Sequence, residues 1–253
     1  PKSPKSIFTS NGFYTNDILK YYAGINYESS LIIGQHGGSY GISKLDFPEY
    51  HELSIADKYI SWGWTNRSFK TKIYPLGQIN NKYLKKSNTL RTKLLLTSTT
   101  MPRYSSYMRT MVISSQWLSY FNDQIDFIKN LDTCVSNKTT VRLNRADYKW
   151  DQIARWKEIF PNLNYDIGFS DIQKLYQETK IHIATYNATS YLETFSLGIP
   201  TVIFWDTSFW ENKDSVKFIF SELKRVKVFH DSPESAARHI NQIWNNVENW
   251  WES

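Results

Sequence analysis

Residues 185–206, TYNATSYLETFSLGIPTVIFWD, restrict the possible folds of this chain more than any other stretch. The run IHIAT at 181–185 is mostly apolar and β-branched, which is typical of a parallel strand buried on both faces. Small polar residues then stand where a helix should begin, Gly198 and Pro200 should end it, and 201–205 should form the next strand. This order predicts a parallel α/β sheet.

The start of this predicted helix has the composition of an anion site. Asn187, Thr189 and Ser190 supply small polar side chains, and the first turn of a helix offers backbone N–H groups and the positive end of the dipole. Glu193 should lie on the same face one turn later, where a carboxylate can accept hydrogen bonds from sugar hydroxyls. The simpler alternative is a helix capped by a hydroxyl, with Glu193 exposed to solvent.

A histidine among glycines follows another predicted strand. The strand LIIG at 31–34 leads directly into Gln35, His36, Gly37 and Gly38. Glycine allows close approach of a backbone to a ligand, so both glycines are candidate donor contacts. His36 is a candidate base or phosphate ligand, and a histidine bonded to backbone in a tight turn is the alternative. The glycine spacing excludes a Walker loop and a dinucleotide fingerprint.

Carboxylates cluster shortly after this loop. Glu49 and Glu52 share one face if this segment is helical, and His51 lies between them in the sequence. Glu52 is a candidate base that faces the acceptor. A solvated helix face is the alternative, and a metal site is the weakest interpretation because the HExxH arrangement is missing.

Two arginines follow predicted strands in the second half of the chain. Arg103 comes after the strand at 94–97, and Arg142 belongs to the strand at 139–143. Open parallel sheets bind ligands at the carboxyl ends of their strands, so both guanidinium groups should lie there, near each other, and neutralise phosphate. For Arg103 the alternative is a surface salt bridge.

Helices are predicted from apolar periodicity between these strands. A long amphipathic helix is expected over residues 106–131, and Ser170 is expected to cap a helix at 171–179. Ser232 and Pro233 should begin the last helix.

Composition narrows the class of partner. The net charge of +6 favours an anionic ligand, an anionic acceptor or a membrane surface, while the lack of a long Lys/Arg run argues against nucleic acid. Cys134 is the only cysteine, which excludes an intramolecular disulfide and favours a reducing cytoplasm; we expect it to be buried. No apolar run approaches transmembrane length, and the opening PKSPKS is typical of a linker in a longer protein.

Six blocks spread over nearly the whole chain resemble bacterial transferases of surface-carbohydrate biosynthesis with a GT-B-like architecture. The blocks are IFTSNGFYTNDILKYYA at 7–23, IIGQHGGSYG at 32–41, IADKYISWGW at 55–64, VRLNRADYKW at 141–150, NATSYLETFSLGIPTVIFWD at 187–206 and VFHDSPESAARHINQIW at 228–244. The QHGG motif is also similar to that of polyol-phosphate polymerases and some capsule transferases. Family members are longer at the N-terminus, so the resemblance implies that this chain is the C-terminal part.

The expected fold is therefore α/β and GT-B-like, with a doubly wound parallel Rossmann-type sheet and part of a second Rossmann-like lobe. Residues 1–80 are expected to be the C-terminal part of an acceptor-side lobe, and 93–253 the donor-binding domain, with the boundary at 82–93. In GT-B enzymes the hydroxyl turn holds a donor phosphate and the glutamate holds ribose or sugar, which implies these roles for Thr189, Ser190 and Glu193.

The resemblance implies transfer of a sugar from a nucleotide-activated donor to a bacterial surface glycan, catalysed in the cytoplasm or on the cytoplasmic face of the inner membrane. The expected partners are a nucleotide-sugar and a glycan or lipid-linked glycan acceptor, with no nucleic acid. No cofactor and no metal are expected, because GT-B enzymes commonly stabilise the leaving group with cations and helix dipoles. The alternatives are transfer of polyol phosphate or another phosphate-linked group on the same scaffold, and a non-catalytic carbohydrate-binding module.

Overall fold

The computed structural model describes residues 3–78, 90–104 and 108–253. These residues divide into two units, the first containing 3–78 with 108–109, and the second containing 90–104 with 110–253. Most of the boundary predicted over 82–93 lies outside the described residues, as does the predicted start of a helix at 106.

The first unit is built on a parallel sheet of four strands in the order β1-β2-β3-β4. The strands are β1 (Ser6–Thr9), β2 (Ser30–Gly34), β3 (Lys58–Ser61) and β4 (Lys72–Pro75). Its helices are α1 (Gly12–Thr15), α2 (Asp17–Ile25) and α3 (Phe47–Ile55). Each strand pairs in parallel with its neighbour, so the loop after β2 leaves the sheet at its carboxyl edge.

The second unit contains a parallel sheet of six strands in the order β10-β9-β8-β5-β6-β7. The strands are β5 (Lys93–Thr97), β6 (Thr139–Arg142), β7 (Asn164–Asp166), β8 (Thr179–Ala184), β9 (Thr201–Phe204) and β10 (Phe229–His230). The chain runs outward from β5 to β7 and then returns to β8 beside β5. This doubly wound order confirms the predicted sheet and places a ligand crevice at the carboxyl ends of β5 and β8.

Eight α-helices and one 3-10 turn connect the described strands of this unit. They are α4 (Ser114–Lys129), α5 (Thr133–Ser136), α6 (Gln152–Ile159), α7 (Ile172–Glu178), α8 (Thr189–Ser196), the turn Asp214–Val216, α9 (Lys217–Arg225), α10 (Pro233–Ile243) and α11 (Val247–Trp251).

The central strand β5 shows why the sheet is buried on both faces. Leu94 and Leu96 pack in the larger core, whereas Leu95 points the other way, into a smaller cluster with Tyr176 and Ile199. All three leucines have at most 1% of their surface exposed, which explains the continuous apolar run.

Local hydrogen bonds make two helices begin later or on a different cap than predicted, and residues 108–113, predicted to be helical, precede the first of them. Helix α4 begins at Ser114, since Ile113 is extended and its N–H donates to Gln116 Oε1 over 3.0 Å. Helix α7 is capped by Asp171, whose carboxylate accepts from Gln173 N, and not by Ser170. Ser232 caps α10 as predicted.

Gly198 ends α8 as predicted, with a φ of +62° that suits glycine. Cys134 is exposed, so its predicted burial is wrong: it lies in the short helix α5 on the surface.

A fully buried histidine joins four elements of the second unit. His182 Nε2 lies 3.0 Å from Thr97 Oγ1 on β5, and Nδ1 lies 3.0 Å from Thr194 Oγ1 on α8. Thr201 of β9 bonds the same Thr194 hydroxyl over 2.9 Å. Both ring nitrogens therefore have partners inside the protein, which is what a buried polar group requires.

This histidine should make the protein sensitive to acid. Burial lowers the pKa of His182 from 6.5 to about 3, so the unfolded chain takes up its proton at a higher pH than the folded chain. The contribution is present above about pH 6.5 and is lost as pH falls towards 3. We expect the free energy of unfolding of His182→Gln, measured by urea titration between pH 7 and pH 4, to fall less than that of the parent protein.

The matched control is Thr139→Ser, which alters a buried side chain of the same unit that has no ionisable group. Its pH dependence should follow the parent curve. Parallel curves for the parent and His182→Gln would contradict this account of His182.

Candidate functional site

His36 stands at the end of β2, against a buried carboxyl group. Its Nδ1 lies 3.5 Å from Glu52 Oε1, and its Nε2 lies 3.2 Å from the hydroxyl of Tyr40. The Glu52 carboxyl also accepts hydrogen bonds of 3.4 Å from Tyr40 and Tyr59. The His36 side chain is 21% exposed while that of Glu52 is 2% exposed, so only the histidine can meet a substrate.

Helix α3 supplies this carboxyl group because it turns its acidic residues inward. Glu49 and Glu52 are both buried, so the alternative of a solvated helix face is wrong. Glu52 does not face solvent either, because its oxygens point to His36, Tyr40 and Tyr59. Of the groups that contact the Glu52 carboxyl, His36 is the one with a partly exposed side chain.

The protonation states of the pair follow from this burial. Removal from water raises the pKa of Glu52 to about 8, and burial lowers the pKa of His36 below its usual value. At pH 7 the pair is therefore mostly a protonated carboxyl beside a neutral imidazole. A neutral imidazole can accept a proton, and Glu52 in its ionised form can stabilise the resulting imidazolium.

The loop after His36 is held in place by side chains and not only by its glycines. Glu49 accepts a hydrogen bond of 2.7 Å from Gly41 N, and Asp46 accepts one of 2.8 Å from Ser39 Oγ. Gly41 is the glycine of the loop with a left-handed φ, +78°, and a Cβ there would meet the Trp64 ring at 2.6 Å. Close packing, and not ligand approach alone, therefore explains one glycine of this motif.

The predicted donor glycines lie directly beside His36. The Gly37 carbonyl accepts a hydrogen bond of 2.7 Å from Gln35 Nε2, and a Cβ at Gly37 would lie 3.3 Å from the Tyr40 ring. Gly38 follows in the same loop, so both glycines lie within two residues of His36 in the chain.

In the second unit, helix α8 begins at the carboxyl end of β8 as predicted. Its N-cap is Ala188, which makes no side-chain hydrogen bond, so Thr189 and Ser190 occupy the first turn and not the cap. The alternative of a hydroxyl-capped helix is therefore wrong. Asn187 is buried and bonds Tyr191 and Asn212 through its side chain, which orients the turn.

Glu193 meets two tyrosines that sequence reasoning missed. The hydroxyl of Tyr176, on α7, donates to Glu193 Oε2 over 3.2 Å. The hydroxyl of Tyr186 faces Ser190, Glu193 and Arg142, and burial raises the pKa of that hydroxyl. Glu193 is half-buried, so the alternative of an exposed glutamate is wrong. Tyr186 could have been found from its position immediately after a predicted strand, whereas nothing local marks Tyr176.

The two predicted phosphate-binding arginines have different partners. Arg142 ends β6, pairs with the Asp166 carboxylate and donates to the Ser170 carbonyl over 3.0 Å. Arg103 donates to the Lys149 carbonyl and lies 4.8 Å from the centre of the Trp150 ring, so it forms a cation–π contact and not the surface salt bridge considered above. Their proximity to each other stays a prediction.

Buried hydroxyls support the crevice between β5 and β8. The Tyr120 hydroxyl accepts from Thr99 N over 2.9 Å and lies 2.7 Å from Thr185 Oγ1. Thr185 donates in turn to the carbonyl of Thr97 over 2.8 Å. These hydrogen bonds tie the ends of both strands to α4.

The sequence matches the family model described as LIC12162 family transferase over residues 1–253. The chain belongs to this transferase family. The predicted family and the GT-B-like fold are both confirmed. No curated protein matches the sequence significantly.

The fold of this chain is similar to the folds of several GT-B glycosyltransferases whose structures have been solved. TarM is 14% identical with a TM-score of 0.54, over 90% of this chain and 46% of TarM. MurG of Acinetobacter baumannii is 11% identical with a TM-score of 0.50, over 98% of this chain and 67% of MurG. WaaG, a glycosyltransferase involved in lipopolysaccharide biosynthesis, is 12% identical with a TM-score of 0.47, over 95% of this chain and 63% of WaaG. The chain thus spans about half the length of TarM.

Two searches of the described residues give negative results. None of their helices is long and apolar enough to cross a bilayer. Within the same residues, no three His, Cys, Asp or Glu side chains are grouped as metal ligands would be.

The raised pKa of Glu52 leads to a test of the His36 cluster. The unfolded chain ionises this group near pH 4.5 and the folded chain near pH 8, so its contribution to stability is complete below 4.5 and is lost as pH rises through 8. We expect Glu52→Gln to lose less stability than the parent protein between pH 5 and pH 9 in urea titrations. Equal losses would show that the carboxyl is ionised in the folded protein.

Proposed function

We propose that this chain is the donor-binding part, with some of the acceptor side, of a GT-B glycosyltransferase that transfers a sugar from a nucleotide-activated donor to a bacterial surface glycan. One observation carries the proposal. The first turn of α8 lacks a side-chain cap and stands at the same carboxyl edge of the sheet as Arg142, where a doubly wound sheet binds its ligand.

The donor phosphates would bind the first turn of α8. Thr189 and Ser190 would donate hydroxyl hydrogen bonds, Asn187 would hold the turn through Tyr191, and the helix dipole would favour the negative charge. Arg142 would add positive charge on the same side, tempered by its ion pair with Asp166. This arrangement can stabilise a diphosphate leaving group without a metal ion.

Glu193 would accept hydrogen bonds from ribose or sugar hydroxyls. Tyr176 holds one carboxylate oxygen and therefore sets the direction in which the group faces. The proposed second cation, Arg103, is held against Trp150 and would contact the donor from the loop after β5.

The His36 cluster would act on the acceptor. His36 would accept the proton of the attacking hydroxyl in molecules in which Glu52 is ionised, and that carboxylate would stabilise the resulting imidazolium across 3.5 Å. Gly37 and Gly38 would let the donor or acceptor approach the ring closely. The acceptor would be a glycan or a lipid-linked glycan, reached on the cytoplasmic face of the inner membrane, and the net charge of +6 favours an anionic surface.

The second candidate is transfer of polyol phosphate from a nucleotide-activated donor. A histidine backed by a buried carboxyl, as in His36 and Glu52, suits acid–base chemistry at phosphorus equally well. Incubation with nucleotide-sugars and with CDP-activated polyols, followed by mass analysis of the products, distinguishes the two reactions.

The first experiment is a thermal-shift panel of UDP, GDP, CMP, CDP and dTDP species on the purified chain. A ligand that binds only the folded state raises the melting temperature. A shift with one nucleotide identifies the donor class. If no nucleotide shifts the melting temperature, the chain would be better described as a carbohydrate-binding module.

The direct test of the donor site is Glu193→Gln. This change keeps the shape of the side chain but weakens a charge-assisted hydrogen bond, and should reduce nucleotide-sugar affinity by about 1.5–3 kcal/mol. Ser190→Ala, which removes one ordinary hydrogen bond, should cost only about 0.5–1.5 kcal/mol. Calorimetry with the nucleotide found in the panel measures both.

Glu158→Gln is the matched control for this substitution. Glu158 is exposed on α6, and its replacement should leave the affinity unchanged. If Glu193→Gln binds as tightly as Glu158→Gln, α8 is only a well-packed part of the core and the donor assignment is wrong.

His36→Ala should reduce turnover by about a hundredfold or more, the usual scale for the loss of an acid–base group. Nucleotide affinity should fall much less than turnover, because in this proposal Thr189, Ser190 and Glu193 of the second unit hold the donor. His51→Ala is the control on the same unit and should keep full turnover. Unchanged turnover in His36→Ala would leave this histidine a purely structural role.

A further inference from the structure

A cavity of about 580 Å³ lies beside β10, the edge strand of the larger sheet. Its lining comes from the end of α9, from β10 and from one face of α10. The lining residues that carry the argument are Lys224, Lys227, His230, Asp231, Arg238 and His239. None of them belongs to the cluster around α8, so this cavity is separate from the proposed donor site.

The lining is predominantly cationic. Three of the side chains are Lys or Arg, and the single carboxylate, Asp231, is already paired with Lys224. Within the described part of the chain, Lys227 and Arg238 form no ion pair. Two exposed positive charges at one cavity attract an anion.

A buried histidine at the cavity lacks a hydrogen-bond partner. His239 has only 5% of its surface exposed, and its Nε2 bonds none of the described residues. The ring lies 5.2 Å from His230 and 4.9 Å from Trp250, so packing fixes its position. An unpaired buried nitrogen is unfavourable, and a hydrogen bond to a ligand atom at this point would remove that penalty.

The neighbouring groups are already satisfied, which leaves His239 as the group in need of a partner. His230 Nε2 donates to the Lys227 carbonyl over 3.0 Å, so its Nδ1 accepts from Ser235 Oγ over 2.9 Å. The α10 N-terminus contributes little, because Pro233 has no N–H and Ser232 caps Ser235 N. The cavity therefore depends on its side chains.

We propose that this cavity binds the phosphate group of an anionic ligand about as large as a sugar phosphate. Lys227 and Arg238 contact the phosphate, and His239 donates a hydrogen bond from Nε2. A cavity of this volume suits a small ligand that keeps part of its surface outside. The phosphate can belong to a free sugar phosphate or to the headgroup of a phosphate-bearing lipid.

The protonation of His239 is compatible with this role. Burial, together with the charges of His230 and Lys227, lowers the pKa of His239 to about 4, so the ring is neutral at pH 7. A neutral ring with its proton on Nε2 is a hydrogen-bond donor without a charge to neutralise.

Binding is measured by calorimetry with glucose 1-phosphate and pyrophosphate, and by co-sedimentation with phosphatidylcholine vesicles with and without phosphatidic acid. Arg238→Gln and Lys227→Gln should each weaken binding about tenfold, as expected for the loss of a charge-assisted contact. Arg67→Gln removes an exposed arginine of the first unit and should leave binding unchanged. The His239 ring signals in NMR spectra should shift on addition of the soluble probe.

If the soluble probes bind and Arg238→Gln weakens that binding, the ligand is a free phosphate compound. If binding is restricted to vesicles that contain phosphatidic acid, the ligand is a lipid headgroup. Either result supports the site. Two results would overturn it. One is no saturable binding of any probe above phosphatidylcholine alone. The other is binding that Arg238→Gln reduces no more than Arg67→Gln, since that would be a general effect of net charge.

Discussion

A single buried imidazole fixes the geometry on which the second unit depends. His182 is bonded to Thr97 and to Thr194, so the central strand β5 and the helix α8 are tied to the same ring. A polar group left without a partner in this interior would cost free energy, so these side chains keep their places together. The same helix carries Ser190 and Glu193. The hydrogen bond between Thr194 and His182 therefore helps to fix the direction of this helix relative to the sheet.

The buried polar cluster of the first unit differs from this one, because it contains a carboxyl group, Glu52, whose pKa is raised to about 8. Glu52 is surrounded by Tyr40, Tyr59 and His36, and water is largely excluded from its carboxyl. Burial therefore keeps the Glu52 carboxyl protonated to a higher pH than usual. The partly exposed His36 ring stays neutral, because burial lowers its pKa. His182 is buried with two partners and is suited to structure, whereas His36 is partly exposed beside a titrating group and is suited to proton transfer.

The positively charged side chains at two places on the larger sheet differ in whether they are paired with a carboxylate. Near α8, Arg142 is balanced by Asp166, so an anion there depends on the helix N-terminus as well as on the guanidinium group. At the β10 edge, Lys227 and Arg238 have no such partner in the described part of the chain, and the cavity offers side-chain charge instead. Under our two proposals these places bind different ligands, a nucleotide diphosphate held mainly by backbone groups and a phosphate held by side chains.

The sequence alone determined the elements and the candidate site segments. The apolar strands, the breaks at Gly198 and Pro200, and the polar turn before Glu193 are local signals, because backbone preference and periodicity act over a few residues. Only the tertiary structure showed that Tyr176 holds Glu193, that Asp166 pairs with Arg142, and that Glu52 faces inward. These partners lie many residues apart or depend on which helix face is buried. Their contacts exist only after the strands have paired, so no pattern within one segment encodes them.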